Sequence, residues 1–275
     1  MTSRDVVNIL NQQFHIQKIG HTGTLDPLAT GVLVIAIGQA TKIIELLTSE
    51  EKEYVATVQM GMETDTLDVT GNILKQESVP SFSFEQIEEV LSHFLGTYEQ
   101  EVPLYSAVHV NGKRLYQYAK EQQEVTLPKK TVTIHNIKLL QKRQDTFSFS
   151  CRVSKGTYIR SLIRDIAKQL QVSCCMKELV RTKQGNFTLE EACSIEDIKA
   201  NRYHLFTIEE ALSTYPKVVV SKENVKKVQN GVILPKQFTG KKALLCDENG
   251  KLLAIYQENS KDPHTMRPWK VFSFL

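Results

Sequence analysis

Apolar side chains near the start of the chain fall at Val6, Val7, Leu10 and Phe14, the three-and-four spacing that turns one face of a helix toward a core. Thr2 or Ser3 just ahead supplies the side-chain oxygen that caps a helix start. VLVIAIG (32–38) is apolar nearly throughout and predicts a buried strand, after which QATKIIELL (39–47) returns to helical spacing. KEYVATVQMG (52–61) partly alternates, as a half-buried strand does, and an acidic, turn-rich segment, ETDTLDVTGN (63–72), follows it. In SFEQIEEVLSHFLG (83–96), Ser83 and Gln86 form the pattern of a reciprocal helix cap.

The pattern then reads strand, Asn-Gly turn and helix over YSAVHVNGKRLYQYAKEQ (105–122), with two further strands at TVTIHNIKLL (131–140) and TFSFSCRV (146–153). YIRSLIRDIAKQL (158–170) predicts a helix whose apolar face is Leu162, Ile163, Ile166 and Leu170. Arg160, Arg164 and Lys168 recur every four residues on another face and predict one basic stripe. After residue 212 the texture changes to PKVVV, a short capped helix SKENVKKVQNG, and a hairpin in KALLCDENGKLLAIYQ around Asn249-Gly250. We therefore expect two domains, 1–212 and 213–275, with the boundary near Tyr215. Strands and helices mix without regular βαβ alternation, so the expected class is α+β.

Composition narrows the function classes. No apolar run approaches the roughly 20 residues that span a bilayer, and MTSRDVVNIL lacks the order of a secretory signal, so no membrane association and a cytoplasmic location are expected. The five cysteines form no CxxC and stand outside zinc-finger spacing, which predicts reduced thiols and no bound metal. The net charge of +3 conceals a local excess: residues 213–275 hold 11 Lys/Arg against 5 Asp/Glu, and residues 152–183 hold eight basic side chains and two acids. Charge alone fits a solvated lysine-rich surface better than a nucleic-acid footprint.

The candidate chemistry lies in GHTGTLDPLATGVL (20–33), where Asp26 is the one acid. An isolated Asp-Pro is ordinarily a surface turn, and the segment is not a phosphate cradle, having neither Gly-Lys-Ser/Thr nor GxGxxG. Yet the string runs straight into an apolar strand, which would hold the carboxylate at the mouth of the core. A carboxylate there needs a cation from elsewhere to stay ionised. SKGTYIR (154–160) is the best supplier, joining a strand to the basic helix and offering Tyr158 and Arg160.

Taken together, GHTGTLDPLATGVL (20–33), KEYVATVQMG (52–61), VPLYSAVHVNGKRLYQYA (102–119), SKGTYIRSLIRDIA (154–167) and LVRTKQGNF (179–187) resemble, in order, the TruB-type tRNA pseudouridine synthase family. The first segment carries most of the resemblance; residues 215–275 are similar, less sharply, to a small PUA-type RNA-binding domain. The resemblance implies a mixed, mainly antiparallel catalytic sheet followed by a β-rich PUA-like domain. It also implies isomerisation of uridine 55 in the tRNA T loop, with tRNA as partner, no cofactor or metal, and a monomeric protein. By the same resemblance Asp26 matches the catalytic aspartate, Arg160 its arginine partner, and Tyr54 the tyrosine packing on the flipped base. His21 matches the side chain inserted beside the site, Tyr158 a second aromatic and Leu179 an apolar wall. Once RNA is granted, Arg164 and Lys168 become candidate phosphate contacts.

Two departures from the family pattern stand out. The short strand and Lys-Pro-like turn that usually precede the Thr-Ser are not in this sequence, so a catalytic domain without its first strand is expected. AKEQQEV (119–125) replaces an Arg-Glu-Gly pattern. Two rival readings are a non-catalytic tRNA-binding or tRNA-folding protein and an aspartate-dependent hydrolase. The second would need a carboxylate or histidine cluster that the chain does not offer.

Overall fold

Side chains of the Lys52–Met60 strand alternate strictly between buried and half-buried, and its buried face, Tyr54, Ala56, Val58 and Met60, lies against the main core. This strand is central to the larger sheet in a computed structural model that describes residues 1–272. The sheet order is Phe187–Thr188, Cys174–Gln184, Lys52–Met60, Thr146–Val153, Lys129–Lys142 and Gly96–Glu101, all neighbours antiparallel. One further pair of residues, Thr30–Gly31, joins the Cys174–Gln184 strand in parallel. The class is α+β with mainly antiparallel sheets, as expected.

Two helices cover one face of this sheet. Phe84–Ser92 starts with the expected reciprocal cap, Gln86 N–H donating to Ser83 Oγ at 3.2 Å while the Gln86 side chain accepts from Ser83 N–H at 2.7 Å. Ile159–Leu170 buries Leu162, Ile163 and Ile166 completely and ends with Gln171 in the left-handed region, φ +54°. These side chains pack with Phe147, Phe149, Ile87 and Leu91 into one cluster. The Ser3–Phe14 helix opens with the same kind of cap, Asp5 N–H to Thr2 Oγ1 at 3.2 Å and Thr2 N–H to Asp5 Oδ2 at 2.8 Å.

Internal contacts divide the chain into two compact units. One comprises residues 1–6, 23–34 and 46–192 and holds the larger sheet; the other comprises 7–22, 35–45 and the chain from Cys193 onward. The second unit contains a five-stranded sheet in the order Lys217–Val219, Lys242–Cys246, Leu252–Asn259, Asp262–Val271, Leu234–Pro235. Its core gathers Val220, Val228, Leu245, Tyr256 and Met266, and the Tyr256 hydroxyl donates to the Val232 carbonyl at 2.9 Å. The expected hairpin is present, with Asp247 Oδ1 accepting from the Asn249 and Lys251 amides and Gly250 at φ +82°.

Two expected elements differ. VLVIAIG is not one strand: Val32, just after the Thr30–Gly31 pair, donates its N–H to the Arg181 carbonyl of the larger sheet at 2.8 Å, whereas Ile35–Ile37 pairs with Ile19–His21 in a separate ribbon. The hydrophobic run marks burial, but its two ends are hydrogen-bonded to different partners, which periodicity cannot reveal. QATKIIELL likewise divides into a 3₁₀ turn, Gly38–Ile43, and an α-helix, Ile44–Ser49. Gly38, at φ +57°, starts the turn without a side-chain cap, and Thr41 Oγ1 returns a hydrogen bond to its carbonyl at 2.7 Å.

Leu162→Ala, at a fully buried position, is expected to lower unfolding free energy by about 2–5 kcal/mol. Leu140→Ala, on the same domain but 47 % exposed, should stay within about 0.5 kcal/mol of the parent. Urea unfolding of the two variants checks the contrast.

Candidate active site

The segment Gly23–Val32 is held at several points, on the larger sheet through Thr30–Gly31 and elsewhere along its length. Leu25 N–H donates to Ser3 Oγ at 2.9 Å, and Ala29 N–H donates to the Asp26 carbonyl at 2.9 Å, closing a turn around Asp26-Pro27. Leu28 and Ala29 pack against the main core, which leaves the Asp26 side chain one-third exposed. The Asp-Pro turn of the sequence is therefore real, but it is anchored rather than free at the surface.

Arg160, in the first turn of the Ile159–Leu170 helix, supplies the cation. Nε donates to Asp26 Oδ2 at 2.8 Å and Nη2 to Oδ1 at 3.0 Å, a two-pronged grip. The other guanidinium hydrogens are taken by the Thr66 carbonyl, 2.9 Å from Nη1, and the Tyr105 carbonyl, 3.0 Å from Nη2. A buried guanidinium is tolerated only when its donors are satisfied, and this one, 6 % exposed, meets a carboxylate and two backbone acceptors. Removing one partner of such a pair costs on the order of 3–5 kcal/mol because the other charge is left alone. The Arg160 grip thus gathers three loops, around residues 26, 66 and 105, at one point.

Two phenols lie within the field of Asp26. Tyr54, on the central strand, is 8 % exposed; burial pushes its phenol above the ordinary tyrosine range, opposed by the charge and hydrogen bond of Arg181 and reinforced by Asp26. Tyr158, just before the helix, is half-buried, and burial raises its phenol as well, reinforced by the Asp26 charge and opposed by the Ser106 hydroxyl and the Arg160 charge nearby. Its amide donates to Gln100 Oε1 at 2.8 Å, and Gln100 Nε2 in turn donates to the Tyr98 hydroxyl at 2.7 Å. Leu179 is buried in the same cluster, opposite Ala56 in register. His21 ends the Ile19–His21 strand, paired with Ile35, in the other compact unit.

The basic stripe requires correction. Arg160 is buried under Asp26, and Arg164 is mostly buried, its Nη1 3.1 Å from Glu101 Oε1, Nη2 3.2 Å from the Glu101 carbonyl and Nε 3.1 Å from Asp165 Oδ1. Only Lys168 is well exposed, 3.6 Å from Asp165. A helical face whose charges repeat every four residues can turn toward carboxylates as readily as toward water, and here two of the three do.

Arg181 was not singled out by the sequence, although LVRTKQGNF contains it. Its signal was present: Leu179 and Arg181 stand two apart on one strand, so a charged residue occupies an inward-facing position. It is 1 % exposed, and its guanidinium bonds the carbonyls of Val32 and Gly23 at 2.6 and 3.1 Å. Gln100, fully buried behind Tyr158, was also missed. Among the described residues, no three His, Cys, Asp or Glu side chains gather where they could hold a metal ion.

Known structures share this arrangement of sheets and helices. An H/ACA RNP bound to a substrate RNA containing 2'-deoxyuridine aligns with a TM-score of 0.75 at 24% identity, covering 100% of this chain and 82% of that one. A Cbf5-Nop10-Gar1 complex aligns at 0.73 and 24%, covering 100% and 81%. The fold is thus that of these solved chains. Residues 11–159 match the family described as TruB family pseudouridylate synthase (N terminal domain). A tRNA pseudouridine synthase B of Bacillus cereus (strain ATCC 10987 / NRS 248) is 42% identical over 98% of this chain and 93% of its own length. One of Bacillus pumilus (strain SAFR-032) is 38% identical over 99% and 94%. The chain belongs to the TruB family of pseudouridylate synthases.

Lys52, at the start of the central strand, adds a titratable group beside this site. Nζ donates to the Glu50 and Thr48 carbonyls at 2.8 and 3.1 Å. Burial pushes its ammonium down from 10.5 to about 8, with the Arg181 and Lys155 charges acting in the same direction and Glu50 against them. Between those two values the unfolded chain holds a proton that the folded protein has released, so stability rises with pH across that window. Urea midpoints measured from pH 7 to 10.5 should show the parent gaining on Lys52→Met above pH 8, and a constant difference would contradict the burial of this ammonium.

Proposed function

We propose that this chain isomerises uridine 55 in the T loop of tRNA to pseudouridine, with Asp26 as nucleophile or base toward a base flipped out of its stack. Its relatives of 42% identity carry the name tRNA pseudouridine synthase B. The observation that supports the residue assignment is the two-pronged Asp26–Arg160 pair with the Tyr54 and Tyr158 phenols in the field of its carboxylate.

The reaction is self-contained. The N1–C1′ bond breaks, the uracil turns, C5 bonds to C1′, the C5 proton leaves and N1 gains one, so no atom is drawn from a cofactor. Flipping the base costs a few kcal/mol of stacking, which an aromatic platform and an inserted side chain recover. In this reading Tyr54 supplies the platform, His21 the insertion, and Tyr158 and Leu179 the remaining walls. Asp26 is open to attack on C1′ or C6, or to taking a proton from C2′. Arg160 fixes its orientation, which a point charge on a flexible stem does not reproduce. Because burial raises the Tyr54 phenol, it is protonated at neutral pH, which suits a stacking platform better than a base for the C5 proton.

The same reading makes residues 213–275 a PUA-like RNA-binding domain, of which 273–275 lie outside the described residues. Its excess of Lys and Arg is then spent on phosphate contact, and exposed Lys168 is the member of the former stripe left for that task. The enzyme works as a monomer in the cytoplasm with no metal; no helix among the described residues is long and apolar enough to cross a membrane.

Tritium release from a tRNA transcript labelled at uridine C5 tests the proposal. The parent should release tritium at uridine 55 and Asp26→Asn should release none while still binding the transcript. Arg160→Lys should fall in turnover on the order of 100-fold, the scale of a misplaced reacting group. Binding by the parent without release would favour a binding or folding role, and near-parental turnover in Arg160→Lys would break the pairing argument.

A further inference from the structure

The segment carrying Asp26 is tied at both ends to a single buried side chain. Arg181 Nη2 donates to the Gly23 carbonyl at 3.1 Å, where the segment begins, and Nε donates to the Val32 carbonyl at 2.6 Å, where it ends. The backbone of Arg181 completes the second attachment by accepting from Val32 N–H at 2.8 Å. This approach is possible because residue 31 is glycine: at φ +98°, a Cβ there would lie 2.3 Å from the Arg181 carbonyl oxygen. On its other side Arg181 faces Tyr54 in the antiparallel register, where its charge opposes the effect of burial on the phenol.

We infer that Arg181 is a positioning residue for the reaction, clamping the ends of the Asp26 segment and fixing that segment against the strand that carries Tyr54. The inference rests on the synthase reading of Asp26 and Tyr54. If Arg181 served packing alone, a hydrophobic side chain of similar volume would replace it without penalty, since a buried charge is costly to desolvate. Its donors, however, fit two carbonyls on opposite ends of one loop, and its charge faces a phenol on the neighbouring strand. A planar fork spans such a set; an ammonium reaches at most part of it. Arg160 orients the carboxylate itself, whereas Arg181 orients the backbone from which that carboxylate projects.

The test uses the full chain with Arg181→Met, Arg181→Lys and Gly31→Ala. Single-turnover tritium release should fall on the order of 100-fold in Arg181→Met, while the KM for tRNA stays within about threefold because binding surfaces lie elsewhere. Arg181→Lys should recover part of the loss. Gly31→Ala should reduce turnover with the arginine still present. Tyrosine titration of the folded variants adds a readout that packing alone would not move: the Tyr54 phenol should ionise at higher pH in Arg181→Met. Parental turnover in a folded Arg181→Met would overturn the inference.

Should that variant not fold, amide exchange in the parent decides. Ala29 and Val32 amides protected as strongly as those of the central strand support the clamp, and rapid exchange at both refutes it. Asp26→Asn separates the two readings. A parent that binds the transcript without releasing tritium defeats the synthase reading, release persisting in Asp26→Asn defeats the role of Asp26, and an inert Asp26→Asn beside fully active, folded Arg181 variants defeats the clamp alone.

Discussion

The bidentate pair of Asp26 and Arg160 is the constraint around which the larger unit is arranged. A guanidinium placed inside a protein must find acceptors for its hydrogens, and Arg160 finds them on three loops that are far apart in sequence. That need couples the turn at residue 26, the acidic loop at 66 and the segment at 105 to the start of one helix. The apolar face of the helix, with Leu162, Ile163 and Ile166 in the core, in turn holds the arginine at a fixed depth. The cost of burying the charge is offset by the same contacts that define the site.

Two kinds of support surround this pair. Arg160 acts on a side chain, and Arg181 acts on the backbone of the segment that bears it. A carboxylate that is to meet a reacting atom within a few tenths of an ångström needs both its rotamer and its anchor fixed, because an error in either is transmitted to the oxygen atoms. Gln100 performs a related service for Tyr158, binding its backbone amide from a buried position. The site thus joins residues on regular strands and a helix to three loops, around residues 26, 66 and 105, that meet at Arg160.

Three arginines also show why charge in a sequence is a poor guide to surface. Of eight basic residues between 152 and 183, Arg160, Arg164 and Arg181 point inward to carboxylates or carbonyls. The basic excess this segment offers at the surface is therefore smaller than its count. Exposed Arg152, Lys155, Lys168 and Lys177, with half-buried Lys183, carry what remains of it.

Much was legible from the chain alone. Alternation at 52–60, the Ser83–Gln86 cap, the Asn249-Gly250 turn and the helix at 159–170 are local, and nearest-neighbour physics decides them. The candidate site was legible because GHTGTLDPLATGVL is a distinctive string and because a lone carboxylate beside a core demands a cation, which SKGTYIR could supply. What tertiary structure alone decided is which partner each group meets. The apolar run 32–38 divides because its ends bond to different strands, and Arg164 turns to Glu101, 63 residues away. Arg181 becomes a clamp only when Gly23, Gly31 and Val32 are brought to its strand. Local pattern specifies which face of an element is buried; the identity of the atoms across that face depends on contacts distant in sequence, which no window of neighbouring residues contains.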